Sequence, residues 1–399
     1  MSYDERDLKY MALRFNTGFG AASVKEVIGS GIVDSYRDIW DDDCGLLMKV
    51  AGDIRFSSGT RTAAKASAAA RTEVMRAFEY YREETDRLRL HVISMYDDDY
   101  PYAWKNLSGM PKVFFAKGDR SLLGDVFSSG AVSVVGSRHP GSYALYATGQ
   151  IVKEISEKGI IIISGMAMGI DRQAHMSALD SNGKTIGIMP SGLDIVYPYQ
   201  NADIFDRICE KGLLISEMPP GQQVLRQYFP ARNRLIAALS DACLVMEAGE
   251  HSGTLHTASF AANQGKALFV LPNNIYAANA AGSLKLIKDG ADILLGSEEV
   301  IETVGAQVGI RLYVTGASVK TDKNEASEEE AEEGSEGYKK EDWKKRILNK
   351  LDIKDMDIGT LSSELDADFS LLAQCLTELE LDKKIEVFEG KYSLTFSGN

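Results

Sequence analysis

Glycine, serine and arginine residues recur in this chain in a pattern typical of an anion-binding site. Gly136, Ser137 and Arg138 are consecutive in the sequence. Glycine lets backbone N–H groups approach an anion closely, a serine hydroxyl donates hydrogen bonds, and arginine binds phosphate with two parallel N–H groups. Similar groups follow later, with one aromatic ring among them: Ser164, Gly165, Gly169, Phe229, Arg232, Asn233, Arg234, Ser252, Gly253 and Thr254. The pattern predicts a site for several phosphate groups.

Short apolar runs precede most of these groups and indicate the fold. The runs are rich in β-branched residues, and their starts lie 25 to 29 residues apart: 131–135, 159–163, 184–189, 213–216, 242–246 and 267–271. Most of the gaps hold a helical stretch. Strands that are apolar on both faces and alternate with helices predict a Rossmann-like, doubly wound parallel α/β sheet.

The position of the candidate groups in that sheet predicts where they meet. Ligands of open α/β sheets bind at the carboxyl ends of the strands, where helix N-termini point free N–H groups. We therefore expect Arg138, Arg232 and Arg234 to converge on one rim with the donor loops. No G-x-G-x-x-G spacing and no Walker A lysine occurs at these positions, which disfavours NAD and nucleoside triphosphates.

Composition divides the chain into four predicted segments. Residues 1–94 are predicted to form an N-terminal helical domain, and 95–310 hold the alternating strands and helices of the Rossmann-like domain. Residues 311–337 form an acidic linker of net charge −5, and its part 321–337 has no aromatic residue and no aliphatic residue larger than alanine to bury. In 338–399, three helices (341–351, 358–365 and 371–381) and two strands (385–388 and 392–396) predict a winged-helix module.

Charge and cysteine content narrow the possible functions. Taken alone, the net charge of −14 argues against nucleic-acid binding. Over a third of the excess negative charge lies in the linker, however, so the sequence is still compatible with a local basic groove. The four cysteines are scattered, so we expect no disulfide and no zinc site. No cofactor is expected either. No apolar stretch approaches the roughly 18 residues of a membrane span, and a cytoplasmic protein is expected.

Several features leave two interpretations open. The turn Thr17-Gly18-Phe19-Gly20 is either an ordinary helix–helix connection or a hairpin that presents backbone N–H groups to a DNA phosphate. Asp171 and His175, four residues apart on a helix, are either an acid/base or metal pair or a helix cap and a packed histidine. Glu217 and Glu247 are either general bases or structural acceptors.

Six motifs follow one another along the chain: VVGSRHP (134–140), SGMAMGIDRQAH (164–175), PSGLDIVYP (190–198), LLISEMPPG (213–221), YFPARNRLIAALSDACLVMEA (228–248) and SGTLHTASFAANQGK (252–266). Taken in this order, they resemble the DNA-processing protein A (DprA/Smf) family. The segment 100–119 is also similar to the one that enters the family's Rossmann domain, so the resemblance covers about 95–296.

The resemblance implies a protein that is not an enzyme. It implies a homodimer that binds single-stranded DNA, protects incoming DNA in natural transformation and loads RecA recombinase. It also implies that Arg138 is a principal phosphate contact, with the other residues named above on the same face. Phe229 is the expected base-stacking ring, since stacking on aromatic side chains is tolerant of sequence.

Two residues depart from the family pattern, and one other function competes. Met168 stands where the family usually has arginine, and Tyr199 stands at a place that is often basic. The alternative function is a Rossmann nucleotide phosphoribohydrolase, whose P-G-G-x-G-T-x-x-E signature carries a catalytic glutamate. Here Leu255, His256 and Thr257 follow Gly253-Thr254, so that glutamate is missing.

Overall fold

The computed structural model describes most of the chain in two compact units, one over 1–318 and one over 319–399. In the first unit it describes 3–315 except 42, 106, 108 and 278. In the second it describes 340–351, 356, 360, 361, 365, 372, 375, 376, 379, 384–388 and 391–394. No helix among these residues is long and apolar enough to span a bilayer.

Within residues 3–315, nine strands form one sheet in the order β1-β2-β6-β5-β4-β3-β7-β8-β9. All pairings among β3 to β9 are parallel, whereas β2 pairs antiparallel with both of its neighbours, β1 and β6. The strands are β1 His91–Ser94, β2 Val113–Gly118, β3 Ala131–Gly136, β4 Ile161–Ser164, β5 Thr185–Met189, β6 Leu213–Ser216, β7 Ala242–Glu247, β8 Ala267–Val270 and β9 Asp292–Ile293. The predicted Rossmann-like α/β fold is confirmed, and the six predicted runs are β3 to β8.

Helices cover both faces of the sheet and build an N-terminal layer beside it. Two short 3-10 helices, Tyr36–Asp38 and Tyr199–Asn201, occur as well. The α-helices of this unit are α1 Glu5–Thr17, α2 Ala21–Gly29, α3 Gly45–Gly52, α4 Ser58–Ala69, α5 Arg71–Leu88, α6 Tyr102–Lys105, α7 Leu122–Ser129, α8 Ser142–Glu157, α9 Ile170–Asp180, α10 Ala202–Lys211, α11 Tyr228–Leu239, α12 Thr254–Asn263, α13 Ala281–Lys288 and α14 Glu298–Thr315.

The order of the strands fixes where a ligand can bind. The chain runs outward from β3 through β4 and β5 to β6, then returns to place β7 on the other side of β3. At this switch point the loops after β3 and β7 leave in opposite directions and open a crevice at the carboxyl ends of the strands. The residues after β3 and β7 are those that the sequence marked for anion binding.

The sheet begins earlier and α14 ends later than the predicted boundaries. The boundary at 94/95 assigned β1 to the helical domain, but β1 pairs with β2 at the sheet edge. Both strands fall outside the strand–helix repeat, so the repeat gave no signal for them. The linker was predicted from 311, yet α14 continues to Thr315, because Val300 and Val304 are buried against the sheet and Arg311 pairs with Asp241 at 2.8 Å.

The N-terminal helices pack directly against the sheet. Leu8, Met11 and Phe19 are buried in one apolar cluster that also includes Val113 and Phe115 of β2. Arg37 joins the two parts with polar contacts, donating to Asp7 at 2.8 Å and to the Ser94 hydroxyl at 2.9 Å. The helical layer and the sheet therefore share one core.

The second unit has its own small core. Helix α15 (Lys340–Leu351) precedes an antiparallel hairpin of β10 (Ile385–Phe388) and β11 (Lys391–Leu394). Residues 360, 361, 365, 372, 375, 376 and 379 are helical, and the rest of the predicted helices 358–365 and 371–381 lies outside the described residues. The linker 316–337 and residues 395 and 396 lie outside them too. The winged helix stays a prediction.

Candidate nucleic-acid interface

A cavity of about 190 Å³ lies at the switch point of the sheet. Backbone and side chains after β3 and at the start of α12 form its walls, and one face of α11 closes it. Of the predicted site residues, its lining includes Gly136, Arg138, Phe229, Arg232, Asn233, Ser252, Gly253 and Thr254. Separate loops of the sequence therefore meet around one cavity.

Arg138 is the exposed cation of this cavity. Its guanidinium carbon lies 5.1 Å from the centre of the Phe229 ring, a cation–π distance. Arg138 forms no ion pair with any acidic residue that the structure describes. The group is thus charged, accessible and held beside an aromatic face, which suits a phosphate next to a stacked base.

Two glycines shape the loop that carries Arg138. A Cβ at Gly136 would overlap the Ile170 side chain, so only glycine lets α9 approach β3 this closely. Gly169 has φ +80° and lies against the backbone of Ser137 and Arg138. The Ser137 hydroxyl accepts a hydrogen bond from the His139 N–H at 3.1 Å. Ser137 and Gly169 thus fix the backbone of the loop that carries Arg138 and do not line the cavity themselves.

Arg232 lies beneath the cavity and is buried, only 6% exposed. Its Nη1 donates to the Ile188 carbonyl at 2.6 Å and to the Gly165 carbonyl, and its Nε donates to the Asn233 side chain at 3.1 Å. Burial lowers the pKa of Arg232 to about 10, while Asp171 favours its charged form. Arg232 is therefore charged at neutral pH but already satisfied by the backbone.

We expect Arg232→Met to destabilise the protein. It should change the exposed charge of the site little, because Arg232 is buried. The substitution leaves two buried carbonyls without their donor, at a cost of about 1–3 kcal/mol each. The melting temperature measured by circular dichroism should fall by several degrees. Arg226→Met, at an exposed arginine of the preceding loop, is the matched control. An unchanged melting temperature for Arg232→Met would show that the backbone contacts carry no stability.

Arg234 does not reach the cavity, so the prediction that three arginines converge is wrong. Phe229, Arg232 and Arg234 all belong to α11. Residues three apart lie on one face of a helix, whereas residues two apart point about 200° away from each other. Arg234 therefore lies on the other side of α11, where it forms an ion pair with Glu217.

The serine at the end of β4, Ser164, also points away from the cavity. Ser164 is buried, and its hydroxyl donates to the Val134 carbonyl at 2.7 Å. This corrects the expectation that Ser164 shapes the anion pocket directly. Gly165 has a different role, because a Cβ there would overlap the guanidinium of Arg232.

The start of α12 supplies the opposite wall of the cavity. The Ser252 hydroxyl bonds to the Thr254 hydroxyl at 2.9 Å, and the Asn233 amide donates to the Gly253 carbonyl at 3.3 Å. Gly253 caps the helix without a side chain. The positive end of the α12 dipole therefore faces the cavity, as an anion requires.

A second cavity of about 550 Å³ adjoins the first and shares Arg138, Phe229 and Arg232 with it. Gly165, Met168 and the segment 196–200 also line it. The Tyr197 and Phe229 rings meet edge to face at 5.9 Å between centres, and Tyr199 is 81% exposed. Tyr199 was predicted only as a departure from the family pattern, and Tyr197 was not among the predicted site residues. The Tyr197-Pro198 pair after β5 was the signal in the sequence that could have indicated it.

His175, Asp171 and Glu247, the remaining candidate acid/base residues of this region, have structural partners. His175 is buried with Nδ1 2.7 Å from the Thr185 hydroxyl, and burial lowers its pKa to about 3, so it is neutral at physiological pH. Asp171 is buried and accepts a hydrogen bond from the Ala167 N–H at 3.3 Å. Glu247 accepts one from the Gly141 N–H at 3.1 Å. These contacts favour the structural alternative for each group.

Fold and site together define a class: a Rossmann-like α/β protein whose switch-point crevice combines an exposed arginine, the N-terminus of α12 and aromatic rings. Residues 91–305 match the family model of DNA recombination-mediator protein A, just over half of the chain. The chain belongs to this family. The resemblance to the DprA/Smf proteins is thereby confirmed.

Relatives and solved structures agree with this assignment. The DNA processing protein DprA of Bacillus subtilis is 35% identical over 228 residues, which are 57% of this chain and 74% of that protein. Protein Smf of Synechocystis is 37% identical over 226 residues, and the match covers 57% of each chain.

Two solved structures share the fold. DprA from Streptococcus pneumoniae superposes with a TM-score of 0.59 at 27% identity, covering 76% of this chain and 98% of the other. DprA from Helicobacter pylori gives a TM-score of 0.50 at 29% identity, covering 55% and 97%. The latter structure was described for its single-stranded DNA binding mode.

Proposed function

We propose that this protein binds single-stranded DNA in the crevice formed by the two adjoining cavities. One observation carries the proposal: the guanidinium of Arg138, which pairs with no acidic residue that the structure describes, stands over the Phe229 ring at the shared edge of both cavities. A phosphate at Arg138 would also meet the N-terminus of α12, and bases could stack on exposed aromatic rings. The relationship to the H. pylori protein supports the same ligand.

Single strands suit this site better than duplex DNA. The first cavity has a volume of only about 190 Å³, so we expect a phosphate or an unpaired base to reach it more readily than bases that are paired in a duplex. Phe229, Tyr197 and Tyr199 offer ring faces or edges that only unstacked bases can use. Met168 and Tyr199 stand in place of cations, and in this proposal stacking on the exposed Tyr199 ring replaces part of the missing charge.

Family membership carries the rest of the proposal. In this proposal the protein protects incoming single strands during natural transformation, loads RecA recombinase onto them, acts as a homodimer in the cytoplasm and catalyses no reaction. The phosphoribohydrolase alternative lacks a specific observation in its favour, because Leu255 and the two residues after it supply no carboxylate.

Binding curves for single-stranded and duplex oligonucleotides at several salt concentrations test the proposal. We expect the single strand to bind more tightly, and its log affinity to fall with log salt by about 0.7 for each phosphate contact. Nucleotide cleavage is measured in the same samples. Equal affinity for duplex, absence of binding at low salt, or release of a free base would each contradict the proposal.

A further inference from the structure

A larger groove lies between α2 and the segment that leads into β2, and the function proposed above makes no use of it. Its volume is about 810 Å³, and it shares no lining residue with the two cavities at the switch point. We call it the α2 groove. The lining residues that matter here are Arg14, Ala21, Ala22, Lys25, Trp104, Lys105, Met110, Lys112, Glu217 and Arg234.

The α2 groove is strongly cationic in an otherwise acidic protein. Among the described residues, five cationic side chains line it against one carboxylate, Glu217, although the whole chain has a net charge of −14. Arg14 and Arg234 share that carboxylate. Lys25 and Lys105 are exposed and form no ion pair with a described acidic residue, so their positive charge is available to an anionic ligand. Lys112 is half-buried, with its Nζ 3.7 Å from the Met95 sulfur and 5.6 Å from the centre of the Tyr36 ring.

Helix α2 presents a second set of donors to the same groove. Ala21, Ala22, Lys25 and Ile28 lie on one face by helical spacing and all line the groove. Gly20 caps the helix and provides no side chain for the first-turn N–H groups, and Ala21 and Ala22 are exposed. The positive end of α2 and the lysines therefore reinforce each other.

The floor of the groove is apolar. Tyr100, Leu107, Met110 and Pro111 line it together with Trp104. Trp104 is 1% exposed, and its indole N–H has no hydrogen-bond partner in the part of the chain that the structure describes. A cationic rim over an apolar floor matches a ligand that combines phosphates with flat apolar rings, and the volume falls within the roughly 300–1,000 Å³ of pockets that hold organic ligands.

We infer that the α2 groove is a second contact site for single-stranded DNA, with phosphates at Lys25, Lys105 and the α2 N-terminus and bases toward the apolar floor. The inference rests on the proposed function and extends it beyond the switch-point crevice. Helix α11 separates the two sites, carrying Phe229 and Arg232 on one side and Arg234 on the other. On this inference, the glycine turn before α2 presents backbone donors to DNA.

The test compares two double variants that remove the same charge. Lys25→Gln/Lys105→Gln changes two exposed lysines of the groove, and Lys49→Gln/Lys65→Gln changes two exposed lysines elsewhere in the N-terminal helices. Affinity for a single-stranded thymidine oligonucleotide long enough to span both sites is measured across salt concentrations by fluorescence anisotropy. We expect the groove variant to lower the salt slope by about 1.4, corresponding to two lost phosphate contacts, while the control keeps the wild-type slope.

The outcomes separate this inference from the proposed function. If wild type binds and Arg138→Ala weakens binding, but the groove variant matches the control, the α2 groove is not a DNA site. If wild type does not bind single strands at all, the proposed function itself fails. Melting temperatures confirm that both double variants fold, which is expected because all four lysines are exposed.

Discussion

Replacing Arg138 by alanine is expected to lower the affinity for single-stranded DNA by roughly tenfold to 150-fold. A hydrogen bond to a charged group contributes about 1.5–3 kcal/mol, which corresponds to that range. The guanidinium is exposed, forms no ion pair with a described residue and contacts the Phe229 ring, so little in the folded protein depends on it. The melting temperature should therefore stay nearly constant.

Equilibrium titration of a labelled oligonucleotide, alongside thermal melting of the same samples, measures both quantities. Lys153→Ala removes another exposed cation, from α8, and serves as the control that should leave affinity unchanged. Arg138→Lys should lose part of the affinity, because an ammonium keeps the charge but not the two-pronged geometry. A large fall in melting temperature for Arg138→Ala would assign the residue to structure instead.

Replacing Glu217 by alanine is expected to lower the free energy of unfolding by about 3 kcal/mol, the lower end of the cost of breaking a buried ion pair. The Glu217 carboxylate accepts from Arg14 of α1 at 2.7 Å and also pairs with Arg234 of α11. Without it, two guanidinium groups that are each less than a quarter exposed face each other unpaired. Desolvation and repulsion then oppose the contact between the helical layer and the sheet.

Urea unfolding followed by tryptophan fluorescence measures this change, since Trp104 lies in the groove that Glu217 lines. Glu217→Gln keeps the shape and one acceptor, so a smaller loss is expected. Glu210→Ala, an exposed acid of α10, should have almost no effect. Equal stability of Glu217→Ala and Glu210→Ala would mean that the apolar core alone holds the two layers together.

The repeat of apolar strands and helices was readable from the sequence because each parallel strand is buried on both faces. Such strands appear as short continuous runs, and β3 to β8 match the predicted runs to within about two residues at each end. Strands β1 and β2 were not predicted, because they pair antiparallel at one edge of the sheet, outside the βαβ pattern. Their partners depend on contacts between distant residues, which local patterns do not encode.

The composition of the candidate site was likewise predictable, but its geometry was not. Glycines and Arg138 after β3, and the turn that starts α12, follow from the rule that ligands gather at the carboxyl ends of parallel strands. The segment 228–234 was expected to bring both Arg232 and Arg234 to the rim of the anion site. It is the first part of α11, and helical rotation sends Arg232 inward and Arg234 to the opposite flank.

By itself the sequence determined the fold class, the family and the strand ends at which an anion site must lie, because burial periodicity and glycine-rich turns are local properties of the chain. Only the tertiary structure decided which cations remain free. Arg232 is bound to carbonyls from β5 and the turn after β4, Arg234 to a carboxylate after β6, while Arg138 faces solvent. The physical reason is that the partner of a charge is set by which strands and helices become neighbours in space.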